Sequence, residues 1–326
     1  MRFTKKLLSF VALLAIIATP ILIIVNLQAI EDWWKLRDYT PPAAVAKLTE
    51  EDTMTQKAQH LFYINHPQLI ADKMAFRKAC PQAEQTIVLG CYHPVENGIA
   101  VYDITDARLN GVKEVTSAHE MLHAAYDRLS SKDKSYVNGL LQNYYNNDVK
   151  NQRIIDIINA YKKAEPNDVV NEMHSIFGTE VASLPAPLET YYKQYFSNRQ
   201  AVISLSNQYQ SVFTQNQQQL TSIKNQIEIL KTQLESLKQQ ITDQEAEIQS
   251  ESQRLQELRN SNRIDEYNAS VAPYNAKVNA LRSLIAQFNA KVVRVNQLVE
   301  QYNALAVAQE GLYQSLDTSA QPKSAQ

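Results

Sequence analysis

From Leu7 to Ile30 the chain carries no charged residue. At about 1.5 Å per residue a helix of that length reaches roughly 36 Å, enough to cross a hydrocarbon core about 30 Å thick. The pattern predicts a transmembrane helix over residues 7–30, in which Pro20 is tolerated as a kink. Arg2, Lys5 and Lys6 form a basic tip at residues 1–6, and Glu31 and Asp32 follow the apolar stretch. By the positive-inside rule the N-terminus is then cytoplasmic and the rest extracytoplasmic, a single-pass membrane localisation with Trp33 and Trp34 at the interface. The rival is a cleaved signal peptide ending near Ala29. Its apolar stretch is longer than the usual 7–15 residues or so, and Leu27 is a poor match to the small residue expected before the cut.

Residues 31–49 read as a linker, stiffened by Pro41 and Pro42. Between residues 50 and 200 the apolar spacing changes from helical to alternating and back. Helices are expected over Thr53–Tyr63 and Pro67–Ala79, then strands over Thr86–Gly90 and Gly98–Thr105. Five further helices follow, over Val115–Leu129, Ser131–Tyr145, Gln152–Lys162, Val169–Phe177 and Pro187–Phe196. Strands followed by several helices make an α+β pattern.

From Leu220 the apolar residues recur at sevens through Ile227, Leu234, Ile241, Ile248 and Leu255. Ile223, Leu230, Leu237 and Leu258 complete an a/d seam, interrupted by Gln244 and Glu251. After Asn260-Ser-Asn262 a second series runs through Tyr267, Tyr274, Leu281, Phe288, Val295 and Tyr302. Val271, Val278, Ile285, Val292 and Val299 accompany it. Two such series across a polar break predict a long helical hairpin, an antiparallel coiled coil over residues 201–316, with an intermolecular coiled coil as the rival. Pro273 should kink the second helix or mark its start. Residues 317–326 read as a disordered tail.

The formal net charge of -2 gives no electrostatic reason to expect nucleic acid as a partner. Five of the six glycines fall between Gly90 and Gly178, which confines the turn-rich part of the chain to its middle. Cys80 and Cys91 are the only cysteines. An exported chain would bond them and close a short loop; two free thiols are the alternative.

The residues with the clearest chemistry are His119-Glu120-Met-Leu-His123. Positions four apart share one face of a helix, so both imidazoles can aim at one metal ion. Glu120, next to the first ligand, can reach a water on that ion and act as general base. The flanking Val115, Ala118, Met121, Leu122, Ala124 and Ala125 suit a buried helix rather than a solvated one. Asp127 could orient a ligand histidine or pair with a surface base. His60 and His66 read as structural.

The stretch resembles the zincin superfamily of zinc metallopeptidases, specifically a gluzincin-like, membrane-anchored branch, over roughly residues 50–200. The resemblance implies an α+β zincin-like domain, a Zn2+ cofactor, and an edge strand binding the substrate backbone, for which Gly98–Thr105 is placed. The metzincin extension is absent, since Leu129 stands where a further ligand would be needed. A third ligand must come from Asn171-Glu172-Met-His174-Ser-Ile-Phe-Gly-Thr-Glu180, whose Asn171-Glu172 is similar to the gluzincin Asn-Glu pair. Glu172 is the leading candidate, with Glu180 and His174 as alternatives. His93, Tyr126, Tyr191 and Tyr192 are the candidates for stabilising the oxyanion.

The expectation is a zinc endopeptidase hydrolysing extracytoplasmic protein or wall-peptide substrates, with Glu120 catalytic, His119, His123 and Glu172 on the metal, and a protein partner on the coiled coil. The alternative is a non-catalytic cell-surface scaffold with a zinc-binding zincin-like domain.

Overall fold

The structure is a computed structural model and describes residues 26–81, 88–94 and 98–318. Its elements in chain order are α1 (Leu27–Leu36), α2 (Ala43–Glu51), α3 (Gln56–Tyr63), β1 (Gln68–Ile70), α4 (Lys73–Ala79), β2 (Gly90–His93) and β3 (Gly98–Tyr102). A 3-10 turn then leads into α5 (Val112–Asp127), α6 (Ser131–Asn147), α7 (Gln152–Ala164), α8 (Val169–Glu180), α9 (Ala186–Tyr192), α10 (Arg199–Asn260) and α11 (Ile264–Leu316).

The expected α+β class is corrected. The described chain is predominantly helical, and its strands form one small three-stranded sheet in the order β1-β3-β2. Strands of three to five residues leave too little sheet to make a layer, so the short apolar runs do not build an α+β architecture. The expected helix over Pro67–Ala79 splits into β1 and α4, which begins where Asp72 caps the backbone amide of Ala75. The expected stiff linker contains two helices, the second entered from Pro42.

The expected transmembrane helix and membrane-anchored localisation are also corrected. Among the described residues no helix is long and apolar enough to cross a membrane. Residues 7–25 of that span lie outside the described residues; its last part belongs to α1, a ten-residue helix that also carries Glu31, Asp32 and Lys35. Asp32 is buried there, held by Arg128 at 2.6 and 2.7 Å and by His60 at 3.0 Å. Burial works to raise the pKa of this carboxyl, but the bonds and charges of Arg128 and His60 outweigh it and hold it below the usual value.

β3 is the central strand, parallel to β1 and antiparallel to β2. Its alternate residues face two cores. Ile99 and Val101 join the main core with α3, α5 and α8, while Ala100 and Tyr102 pack with Phe76, Cys80 and Cys91. Cys80 and Cys91 are bonded to each other, tying the end of α4 to β2. The expected strand over Thr86–Gly90 lies partly outside the described residues; at its far end only Gly90 enters β2.

Helices α5 and α8 make the main packing contact of the core. A side chain at Gly178 would collide with Leu122 and Tyr192, so α8 approaches α5 closely only because that position is bare.

The chain divides into two compact units, residues 1–212 with 313–326, and residues 213–312. In the second, the seam read from the sequence is the buried face of α10: residues 220, 223, 227, 230, 234, 237, 241, 244, 248, 251, 255 and 258 are shielded to varying degrees, including the polar Gln244 and Glu251. The arms are antiparallel. Lys291 Nζ donates to Gln233 Oε1 at 2.6 Å and Lys277 Nζ lies 3.5 Å from Glu247, pairs placed symmetrically about Asn262 in the turn. Two positions of the second series differ. Ile285 and Val299 are exposed, and Leu284 and Leu298 turn inward instead, Leu298 almost completely. Pro273 neither starts nor ends α11 but lies inside it. Of the expected tail, residues 319–326 lie outside the described residues, whereas Asp317 and Thr318 are bonded to the first unit, through Lys73 and the carbonyl of Val88.

Candidate metal centre

His119, Glu120 and His123 all lie on α5, which starts at Gly111 in the left-handed region (φ 98°), a conformation that favours glycine. The Nε2 atoms of His119 and His123 are 3.0 Å apart. Glu172, near the start of α8, presents one carboxylate oxygen 3.6 Å from His119 Nε2 and the other 3.5 Å from His123 Nε2. Donors on a tetrahedral ion with bonds of about 2.0–2.2 Å stand about 3.3–3.6 Å apart; each carboxylate oxygen meets that spacing to one imidazole, and the two nitrogens stand closer, at 3.0 Å. Glu172 Oε2 is buried with no hydrogen-bond partner, an arrangement that costs free energy unless a cation compensates it. His119, His123 and Glu172 therefore form a buried group that can hold a metal ion.

Burial pushes the Glu172 carboxyl upward, but the facing imidazoles of His123 and His119 and the hydroxyl of Tyr161 outweigh it. The carboxyl sits below its ordinary value and is held as the anion that a metal ligand must be.

Neither alternative for the third ligand joins this group, although Glu180 lines the same cleft. Glu180 is 2.7 Å from Arg153 and accepts from Gln210, so its charge is already compensated. His174 points away from the cleft into the aromatic interior, where Tyr126, Tyr191, Tyr192 and Tyr195 surround it. Its Nε2 is 2.9 Å from the Tyr191 hydroxyl, and Tyr192 donates to its carbonyl. Desolvation in that setting pushes the His174 pKa down to about 3 and keeps the ring neutral.

The centre opens into a cleft of about 250 Å³ lined on one side by β2 and on the other by α7 and α8. Glu120 lines it together with the two histidines. Gly90 of β2 stands so close to α5 that a Cβ there would lie 2.6 Å from Thr116 and 2.7 Å from Glu120 Oε1. Because β3 is central, the edge strand beside the cleft among the described residues is β2, not the Gly98–Thr105 segment expected from the sequence.

None of the expected oxyanion candidates lines this cleft. Tyr126 donates to Asn138, Tyr191 and Tyr192 serve His174, and His93 is absent from the lining. The tyrosines that line it are Tyr92, Tyr161 and Tyr209. Tyr92 is raised to about 12 by burial and by the adjacent Asp127, which thus serves Tyr92. Glu165 and Asp168 were likewise missed. Asp168 stands one helical turn before Glu172, a spacing that could have drawn attention to it; Tyr209 lies in α10 with no local signal.

No known protein family, curated protein or solved structure matches this chain.

Proposed function

We propose that this protein is a zinc-dependent peptidase whose centre is His119, His123 and Glu172, with Glu120 as its general base. The convergence of two imidazoles and a buried carboxylate on one point carries the reading, because two histidines and one glutamate leave a fourth position open. The same donor types favour zinc over the hard cations, which prefer oxygen alone.

Bound there, zinc would supply Lewis acidity and lower the pKa of a water toward neutrality. The chain's own residues do the rest. An extended peptide adds along the outer side of β2, whose backbone aligns the scissile carbonyl with the cleft. Glu120, adjacent to His119 and pressed toward Gly90, removes the proton from the attacking water. As the carbon–oxygen bond forms and the carbon–nitrogen bond breaks, it returns that proton to the leaving amine. Tyr161 fixes Glu172 from outside the metal.

Incubation of the zinc-loaded chain with a peptide library tests the proposal. Glu120→Gln should abolish cleavage while zinc content stays unchanged, and cleavage by that variant at the wild-type rate overturns the role of Glu120.

The hairpin of residues 213–312 carries no group of the centre and is read as a docking element for a protein partner. Its removal should keep Tyr209 and residues 313–318, which belong to the first unit. Cleavage of short peptides should then survive while action on a folded target falls; loss of both contradicts a docking role.

A further inference from the structure

Outside the seam it shares with α10, helix α11 carries a second apolar line. Ile285, Val293, Val299 and Val307 are all exposed, whereas among the described residues α10 exposes one large apolar side chain, Ile229. Single exposed valines are ordinary, but these residues share one face of the helix. Arg282, Asn289, Asn296, Asn303 and Glu310 recur there at sevens, each exposed, and every member of the apolar line follows one of them by three or four residues.

The face is symmetric about Asn296. Val293 and Val299 lie three residues either side of it, Asn289 and Asn303 seven, Ile285 and Val307 eleven, and Arg282 and Glu310 fourteen. Apolar thus answers apolar, amide answers amide and base answers acid. A two-fold interface requires this, because there residue i meets residue j and j meets i. Glu300 is the exception, since its counterpart is Val292.

We propose that this face of α11 is a self-association surface whose occupant is the same face of a second copy, running antiparallel, so that two hairpins pair through α11. Charge sets the direction. Antiparallel pairing brings Arg282 to Glu310 at both ends, whereas parallel pairing would oppose like charges at each. The asparagines set the register, because an amide meeting an amide can exchange donor and acceptor, and a slipped register would set amides against valines. The seam between α10 and α11 stays within each chain. The pairing goes beyond the docking role of the hairpin by naming the occupant of one face, and it depends on neither metal nor cleavage.

Sedimentation of the full chain should show a reversible dimer at submillimolar concentration. Val293→Glu combined with Val307→Glu should weaken it at least tenfold with helical content unchanged, and Glu300→Leu should tighten it. Arg282→Glu alone should weaken the dimer, and adding Glu310→Arg should restore it. The two positions are 28 residues, or about 42 Å, apart along one helix, so that rescue can come only from another copy. For direction, Asn296→Cys lies on the two-fold axis and should cross-link two chains on oxidation, while Asn289→Cys, opposite Asn303, should not. A chain that stays monomeric overturns the pairing and leaves the face to a different protein. A dimer indifferent to the paired valine substitutions, or cross-linked through Asn289→Cys rather than Asn296→Cys, overturns it as well. Zinc content and short-peptide cleavage, measured on the same variants, report separately on the histidine centre.

Discussion

A Cβ on Gly90 would stand 2.7 Å from Oε1 of Glu120. The bare backbone of β2 thus leaves room for this carboxylate in the lining of the cleft. The nearest atoms belong to side chains rather than backbone, so an added methyl would displace Thr116 and Glu120 more readily than it would separate the two elements. Gly90→Ala is expected to lower turnover roughly 10–100-fold, the scale of a misplaced catalytic group, with a small change in thermal stability. Peptide cleavage and melting temperature, measured together, check it; unchanged cleavage would show that the position of Glu120 is not limiting.

Replacing any of His119, His123 or Glu172 by alanine leaves two protein donors and should take metal content from about one equivalent per chain to nearly none. Glu180→Gln should leave it unchanged, because Glu180 is spent on Arg153. Elemental analysis of the purified variants decides it, and metal loss in Glu180→Gln would reassign the third ligand.

His174 gives the fold a pH dependence. Its ring is neutral when folded, with a pKa pushed down to about 3 by burial, against about 6.5 when unfolded. Below the unfolded value only the unfolded chain binds the proton, so its contribution to stability is complete above about pH 6.5. It falls by about 1.4 kcal/mol per pH unit as pH drops toward 3. His174→Leu should flatten that part of the stability profile, since Tyr191 keeps its contact with Tyr195 at 3.2 Å. Denaturant unfolding at pH 7, 6 and 5 measures the slope, and an unaltered slope in the variant excludes His174 as its source.

Neighbours in α11 should respond very differently to truncation. Leu298 is 1 % exposed and Val299 is 40 % exposed. Leu298→Ala should cost about 2–4 kcal/mol, whereas Val299→Ala should stay within about 0.5 kcal/mol. Equal effects on hairpin unfolding would restore the register with Val299 in the seam.

Much of the local structure was legible in the residues. The heptads from Leu220 to Leu258 gave α10 its buried stripe, including where Gln244 and Glu251 interrupt it, because a period near 3.5 permits only one face to be covered. The second arm was less legible: adjacent apolar residues at 284–285 and 298–299 fit either register, and only pairing with the first arm decides between them. The apolar stretch after Leu7 suggested a membrane span, yet where its last residues are described they belong to a short charged helix whose Asp32 is buried by ion pairing to Arg128.

For the centre, the four-residue spacing of His119 and His123 was sufficient by itself, since helical geometry places such a pair on one face whatever surrounds it. The sequence could favour Glu172 over Glu180 and His174 but could not decide. That required the close approach of α8 to α5 at Gly178, the ion pair that occupies Glu180, and the aromatic pocket that encloses His174. It also required the sheet order that makes β2, not β3, the edge at the cleft. These are relations between segments distant along the chain, fixed by which surfaces exclude water together, and no local period encodes them.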